Sequence, residues 1–247
     1  MNKFFYLLLL TLSNNFYSIN TFNINSLSSL SRKEVFESFS KIIASTALIK
    51  PNYNNQNTNY NLNAGSDVED ILINVIDNNI YFYSPITKLS CFKLEKEIIL
   101  LNRKNLLYKK ELDIDNGPIN LHIQSNGGSL LHAIYITDLI KNLETPVYTY
   151  IDGFSASAAT IISVVGKKRF MTKNSVMLIH QLSSGMQGKF YEMEDENENL
   201  NNLMKYITNI YIDNSKINED LLSSILKRDI WLNSTFCLEN GLIDEII

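Results

Sequence analysis

From residue 80 onward the chain alternates between two hydrophobic periods. Residues 80–83 (IYFY), 119–123 (INLHI) and 147–151 (VYTYI) are short runs of β-branched and aromatic residues bounded by turn formers, which is the pattern of strands. Between the second and third, residues 129–143 carry Leu130, Ile134, Ile136, Leu139, Ile140 and Leu143 at helical spacing, with Pro146 just beyond the end. A helix separating two strands predicts a crossover unit and a parallel sheet. After Gly153 the small-residue stretch 155–160 runs into the apolar residues 161–165 and reads as a buried helix. Residues 169–171 and 175–179 follow as strands, then a glycine-bearing loop (SSGMQG). A long polar helix is expected over 190–215, with Leu200, Leu203, Ile207, Ile210 and Tyr211 as its apolar positions. A further helix over 218–227, an extended piece at 230–232 and a last helix complete the pattern. That last helix is capped by Asn233 or Ser234 and stops at Gly241.

The amino-terminal quarter is of another kind. Lys3 precedes an apolar run over 4–12, too short to span a bilayer but the size of a signal-peptide core. Residues 19–48 are rich in Ser and Asn with a few basic side chains, as in a transit peptide, although Glu34 and Glu37 run against that pattern. Residues 51–65 (PNYNNQNTNYNLNAG) lack the apolar surface to order themselves. The expected organisation is a signal peptide over 1–18, a transit-like and Asn-rich segment over 19–66, and one folded domain over 67–247.

Composition narrows the function classes. With 247 residues, 45% hydrophobic and 19% charged, the chain can bury one substantial core. A net charge of −4 and no long Lys/Arg stripe exclude nucleic acid as an expected partner. No apolar run of spanning length follows residue 12, so no membrane partner is expected. Cys91 and Cys237 stand far apart, without the spacing of a disulfide framework or metal site, and read as packed thiols.

Three segments combine a strand end with a tight small-residue turn, and together they hold the parts of an acyl-transfer site. Ser125-Asn126-Gly127-Gly128 lets the backbone approach a ligand closely and leaves helix-start amides for an oxyanion. Gly153-Phe154-Ser155-Ala156-Ser157-Ala158-Ala159 places a serine at the start of a buried helix. Ser155 and Ser157 compete on spacing alone: Ser155 fits the first part of a Gly-x-Ser-x-Gly elbow, but Ser157 stands where the last glycine belongs. Met177-Leu178-Ile179-His180-Gln181 ends an apolar strand on a histidine with a pKa range suited to general-base work. His122, inside a strand, and His132, on a helix, have no partner motif nearby. Asp229 in Lys227-Arg228-Asp229-Ile230-Trp231-Leu232 is the candidate orienter for an imidazole. Each of these residues alone is more often a cap, a turn or a packing residue.

The order Gly-Gly, Gly-x-Ser-Ala-Ser, Met-Leu-Ile-His-Gln, Arg-Asp-x-Trp-Leu and then Glu239-Asn240-Gly241-Leu242-Ile243-Asp244 resembles the Clp proteolytic-subunit (ClpP) peptidase family. The resemblance covers residues 119–247 well and 80–119 loosely. It implies an α/β fold, the ClpP/crotonase-like spiral of repeated β-β-α units with a protruding handle helix, the handle being the long helix from Phe190. It also implies Ser157 as nucleophile, His180 as base, Asp229 as the third member, and Gly128 and Ala158 as oxyanion-hole donors. The chain departs from the family pattern in Ala158-Ala159 where Met-Gly is usual, in Leu182 after His-Gln where proline is common, and in Lys227 where many relatives carry an acid. Its turn at 165–168 is also a couple of residues short.

The same resemblance implies heptameric rings stacked as a tetradecamer, homo- or hetero-oligomeric, and a Clp-type AAA+ unfoldase that feeds unfolded proteins into the chamber. No cofactor is expected, and the absence of a Gly-x-x-x-x-Gly-Lys-Ser/Thr loop assigns ATP use to the partner ATPase. The leader points to a plastid-type organelle. The alternatives are a catalytically weak or inactive ClpR-like scaffold subunit, a crotonase-type acyl-coenzyme A enzyme, and a Ser-Lys peptidase using Lys167 or Lys168. The crotonase reading leaves Ser-His-Asp unexplained, and the Ser-Lys reading leaves His180 without a role.

Overall fold

A computed structural model describes residues 71–247. The expected signal peptide and transit-like segment, and the Asn-rich linker, lie outside the described residues. In chain order the elements are β1 (Leu72–Ile76), β2 (Asn79–Tyr83), α1 (Lys88–Leu112), β3 (Ile119–Ser125), α2 (Leu130–Lys141), β4 (Val147–Ala156) and α3 (Ala158–Val164). There follow β5 (Lys168–Met171), β6 (Val176–Leu178), α4 (Phe190–Asn214), α5 (Glu219–Leu226), β7 (Trp231–Asn233), α6 (Ser234–Glu239) and β8 (Glu245–Ile246). The spiral α/β fold with its long α4 handle is the one the family resemblance implies.

The strands form one sheet in the order β1-β2-β3-β4-β5-β8, with β6 branching from β4 and β7 pairing with β6. The β1–β2 and β6–β7 pairs are antiparallel and all others parallel, as helical crossovers demand. Period-2 patterning decides the two faces. Ile80, Phe82, Leu121, Ile123, Val147, Thr149 and Ile151 are buried, while their neighbours Tyr81, Tyr83, His122, Tyr148 and Tyr150 are half-buried on the other face. Register aligns Tyr81, His122, Tyr150 and Phe170 in a row across four strands, stacked with ring centroids 4.6–4.7 Å apart.

Strand β4 positions the site. Its first half pairs with β5 through Tyr148–Ile151, and its last residues, Phe154–Ala156, pair with β6 instead. The carboxyl ends of the parallel strands β3, β4 and β6 therefore meet, the place where open α/β sheets bind ligands. Helix α3, seven residues long and buried at every position, starts at that junction, which explains its lack of any polar stripe.

Helix α1 was not among the elements expected from the sequence, nor were β1 and β8. Its buried residues Cys91, Leu94, Ile98, Leu101 and Asn105 recur at alternating steps of three and four, the signature of a one-sided helix. Thr87 caps it reciprocally with Ser90 (3.1 and 2.9 Å). Truncating a fully buried member such as Leu94 or Ile98 to Ala removes roughly 2–5 kcal/mol. Both cysteines are free and buried, and burial pushes the thiols up to about 11 for Cys91 and about 12 for Cys237, so they act as packed apolar groups. The small-residue stretch read as helix from 155 is still strand through Ala156, because β6 offers a ladder partner that no local pattern reveals.

Candidate active site

At the end of β3 the Gly127-Gly128 loop is held against residue 86 as a one-residue parallel bridge. The Ile86 amide donates to the Gly127 carbonyl (2.7 Å) and the Ser129 amide to the Ile86 carbonyl (2.8 Å). In such a bridge the peptide groups of the middle residue face the opposite side, so the Gly128 amide is not used by the bridge. Both glycines are obligatory here. Gly127 sits at φ +89 with space for a Cβ closed by the Ala156 carbonyl at 2.6 Å and the Ser157 Cβ at 2.7 Å. Gly128 sits at φ +140 with the Ile86 carbonyl oxygen 2.3 Å from where a Cβ would lie.

Ser157 follows β4 with φ 54 and ψ −128, a left-side backbone conformation unusual for a non-glycine residue and of the sharp strand-to-helix kind that presents a nucleophile. Its amide donates to the Leu178 carbonyl at the end of β6 (2.8 Å). Ser155, two residues earlier, is 0% exposed, and its hydroxyl is the one buried side-chain polar atom without a partner among the described residues. A serine sealed in the sheet interior cannot meet a substrate, which separates the two serines that spacing left level.

His180 lies two residues past β6. Its Nδ1–H donates to the carbonyl of Gln181 (2.7 Å), which leaves Nε2 with a free lone pair as the basic nitrogen. Ser157, Ala158, Gly128 and His180 line a common cavity of about 260 Å³, closed by Leu130, Ile161, Ile207 and Tyr211. Asp229 is not part of it. The β6–β7 register, Leu178 opposite Trp231, would set Asp229 across from His180 if continued by two residues. The chain leaves the ladder first: the Gln181 amide donates to the Leu226 carbonyl (2.8 Å), and Asp229 is exposed with no hydrogen bond or ion pair to His180. In this arrangement the Gln181 carbonyl accepts the hydrogen bond from imidazole Nδ1–H that the third member of a triad would accept.

A model of the Clp protease family matches residues 70–247. The chain belongs to the Clp protease family. Among curated relatives it is 33% identical over 156 residues to the ATP-dependent Clp protease proteolytic subunit 2 of Treponema denticola, covering 62% of this chain and 78% of the relative. The subunit of the same name from Treponema pallidum is 33% identical over 132 residues, covering 53% of this chain and 66% of its own length. A solved structure of a point mutant of ClpP1 from Listeria monocytogenes aligns with TM-score 0.59 and 25% identity over 69% of this chain and 91% of that one.

Against that family pattern, two departures have clear structural places. Leu182 packs against the core, its amide directed to the Met204 sulfur of α4 (3.2 Å), so the residue after His-Gln serves as a contact with the handle. Lys227 is the exposed carboxyl cap of α5. The two histidines set aside on sequence grounds do have partners. His132 Nδ1 pairs with the Ser129 hydroxyl (2.7 Å). His122 Nδ1 meets Asp152 (2.9 Å), whose same carboxylate oxygen accepts the Tyr83 hydroxyl (2.7 Å). Burial alone pushes the Asp152 carboxyl up, but the His122 and Tyr83 hydrogen bonds outweigh it and hold it below the usual carboxylate range. This cluster sits on the outer aromatic row, away from the cavity residues. The β3–β4 register, which pairs His122 with Tyr150 and so puts Asp152 one step further along the same face, brings this cluster together, and nothing local in the sequence marks it.

Proposed function

We propose that this chain is the proteolytic subunit of an ATP-dependent Clp-type protease, a serine endopeptidase that hydrolyses unfolded polypeptides to short peptides. The observation that carries this is the convergence of a strained, cavity-lining Ser157 with His180 and the amides of Gly128 and Ala158. Ser157 Oγ attacks the scissile carbonyl while His180 Nε2 takes the hydroxyl proton. The tetrahedral oxyanion rests on the Gly128 and Ala158 amides, each donor of this kind being worth about two to three orders of magnitude in rate. Collapse breaks the C–N bond, His180 returns the proton to the leaving amine, and water repeats the sequence on the ester to free Ser157. Asp229 takes the His180 Nδ1–H in the working enzyme, displacing the Gln181 carbonyl.

That exchange of partners belongs to the assembled state: heptameric rings stacked as a tetradecamer, served by a Clp-type AAA+ unfoldase that alone uses ATP. A plastid-type organelle reached through the leader is the compartment that fits. The partnering of His180 with Gln181 rather than Asp229 favours one second reading, a weak or inactive scaffold subunit in a mixed ring. A fluorophosphonate probe applied to assembled protein separates the two. The peptidase reading expects one label on Ser157, abolished in Ser157→Ala. An unlabelled wild type that co-purifies with a second, reactive subunit leaves only the scaffold.

A further inference from the structure

Ser157 is held at φ 54, a sparsely populated conformation for a non-glycine residue, so neighbouring groups must impose it. Three bonds act on it directly. The Leu178 carbonyl takes its amide, and its own carbonyl accepts both the Thr160 amide (3.0 Å) and the Thr160 hydroxyl (2.6 Å). A threonine bonding back to a carbonyl in its own helix is ordinary. The next link is not. The Thr160 oxygen lies 2.5 Å from the hydroxyl of Tyr211, fifty-one residues on and in another helix. Because the Thr160 hydrogen is committed to Ser157, the phenol is the donor of that pair.

Tyr211 is 2% exposed and Thr160 0%, so neither hydroxyl has water as an alternative partner. Burial raises the phenol above its ordinary value, against the opposing effect of the Thr160 hydrogen bond, so its proton stays in place and is available to donate. Tyr211 and Ile207 are the only buried side chains of α4, and both line the Ser157 cavity. The remainder of that 25-residue helix is partly or fully exposed, Phe190, Tyr191 and Tyr206 included. The most deeply buried of the contacts that seat α4, which also include Met204, Ile210 and the Asn214 carbonyl, is therefore the one that reaches the Ser157 carbonyl. A buried chain of three oxygens polarises along its length, so each link strengthens the next.

We propose that Tyr211 and Thr160 are positioning residues, a hydroxyl relay through which the seating of α4 holds the Ser157 turn in its reactive conformation. This rests on the reading of Ser157 as nucleophile. Neither residue touches the reacting atoms.

The test uses the full chain with Thr160→Val, which keeps shape and removes the hydroxyl, Tyr211→Phe, which keeps the ring, and Thr160→Ser, which restores the hydroxyl. Amide hydrogen exchange over residues 157–161 is read beside the rate of fluorophosphonate labelling and the kcat and KM for a short peptide. Both hydroxyl deletions are expected to speed exchange in that segment about five- to tenfold, the scale of one net buried hydrogen bond. They are also expected to slow labelling and kcat by about tenfold with KM unchanged, since a misplaced nucleophile raises the barrier to reaction without touching the groups that hold substrate. Thr160→Ser should match wild type in every readout. Unchanged exchange in Tyr211→Phe and Thr160→Val, uniform acceleration over the whole domain, or failure of Thr160→Ser to rescue each overturns the relay. A wild type that never labels overturns Ser157 as nucleophile instead, and the exchange comparison still decides the relay.

Discussion

At the carboxyl end of β4 the backbone enters Ser157 at φ 54, Gly127 at positive φ presses against it, and the buried Ser155 hydroxyl nearby has no partner. Beside the amino half of the same strand nearly every group is paired. The Thr149 hydroxyl donates to the Ser163 carbonyl (2.6 Å), and the Lys167 amide to the Val147 carbonyl (2.7 Å). Arg169 grips Asp244 through Nε (3.0 Å) and Nη2 (2.6 Å), and its Nη1 donates to the carbonyls of Asn214 and Val164. The Asp244 amide donates in turn to the Arg169 carbonyl (2.8 Å). One guanidinium thus ties the ends of α3 and α4 to the segment entering β8. The pairing at one end supplies the stability that the strained end gives up, and it lets reactivity and stability be changed separately.

The largest separation is expected at the nucleophile. Ser157→Ala should reduce peptidase activity to background while leaving the thermal midpoint unchanged or slightly raised, since strain at φ 54 is borne no worse by alanine; activity assays and calorimetry on one preparation check it. His180→Ala should follow with a loss of about three orders of magnitude or more and little change in stability, read from the same assays. Residual activity near wild type in either variant breaks the assignment of the strained end as catalytic.

Gly127→Ala should affect both properties. A Cβ there meets backbone and the Ser157 Cβ inside 3 Å at φ +89, so the turn must shift, and we expect a loss of about 2–4 kcal/mol together with at least tenfold slower probe labelling. A variant that is destabilised yet labels at the wild-type rate would separate the glycine from the serine. Arg169→Leu is the converse. Asp244 is 43% exposed, which discounts the ion pair, and the lost carbonyl bonds set the expected cost at about 1–3 kcal/mol, with labelling per folded molecule within about twofold of wild type.

The smallest effect is on pH dependence. Arg169 beside Asp244 holds its carboxyl below the usual carboxylate range against the opposing effect of burial. A group with a lowered folded-state pKa contributes stability in full above its unfolded value, about 4, and loses it as pH falls through the folded value. Stability should therefore decline below about pH 4, and Asp244→Asn should flatten that decline without changing the reactivity of Ser157. Denaturant midpoints from pH 3 to 7 read the slope; an unchanged slope would assign the acid sensitivity to Asp152, the other carboxylate held low.

Much of the fold was legible in advance because its patterns are local. Residues 119–123 and 147–151 alternate as strands do, the helix over 129–143 has its apolar stripe and its proline stop, and Asn233 caps the last helix as expected. The 25-residue α1 was equally legible, since Cys91, Leu94, Ile98 and Leu101 carry a regular stripe. It was missed because Lys and Asn between them give the segment a polar appearance. The two-residue β8 was not legible at all, for its ladder exists only because β5 lies alongside.

Sequence by itself determined the motifs from which a site could be built: the Gly127-Gly128 pair, a histidine just after an apolar run, and the order in which these follow. Spacing left Ser155 and Ser157 level and the family resemblance favoured Ser157; the tertiary structure adds that Ser155 is sealed into the sheet while Ser157 lines a cavity. It likewise joined Tyr211 to Thr160 and left Asp229 exposed while Gln181 engages His180. Residue type and spacing act within a few residues along the chain. Burial, hydrogen-bond choice and strain depend on what the sheet brings alongside, and that is decided by strands far apart in sequence.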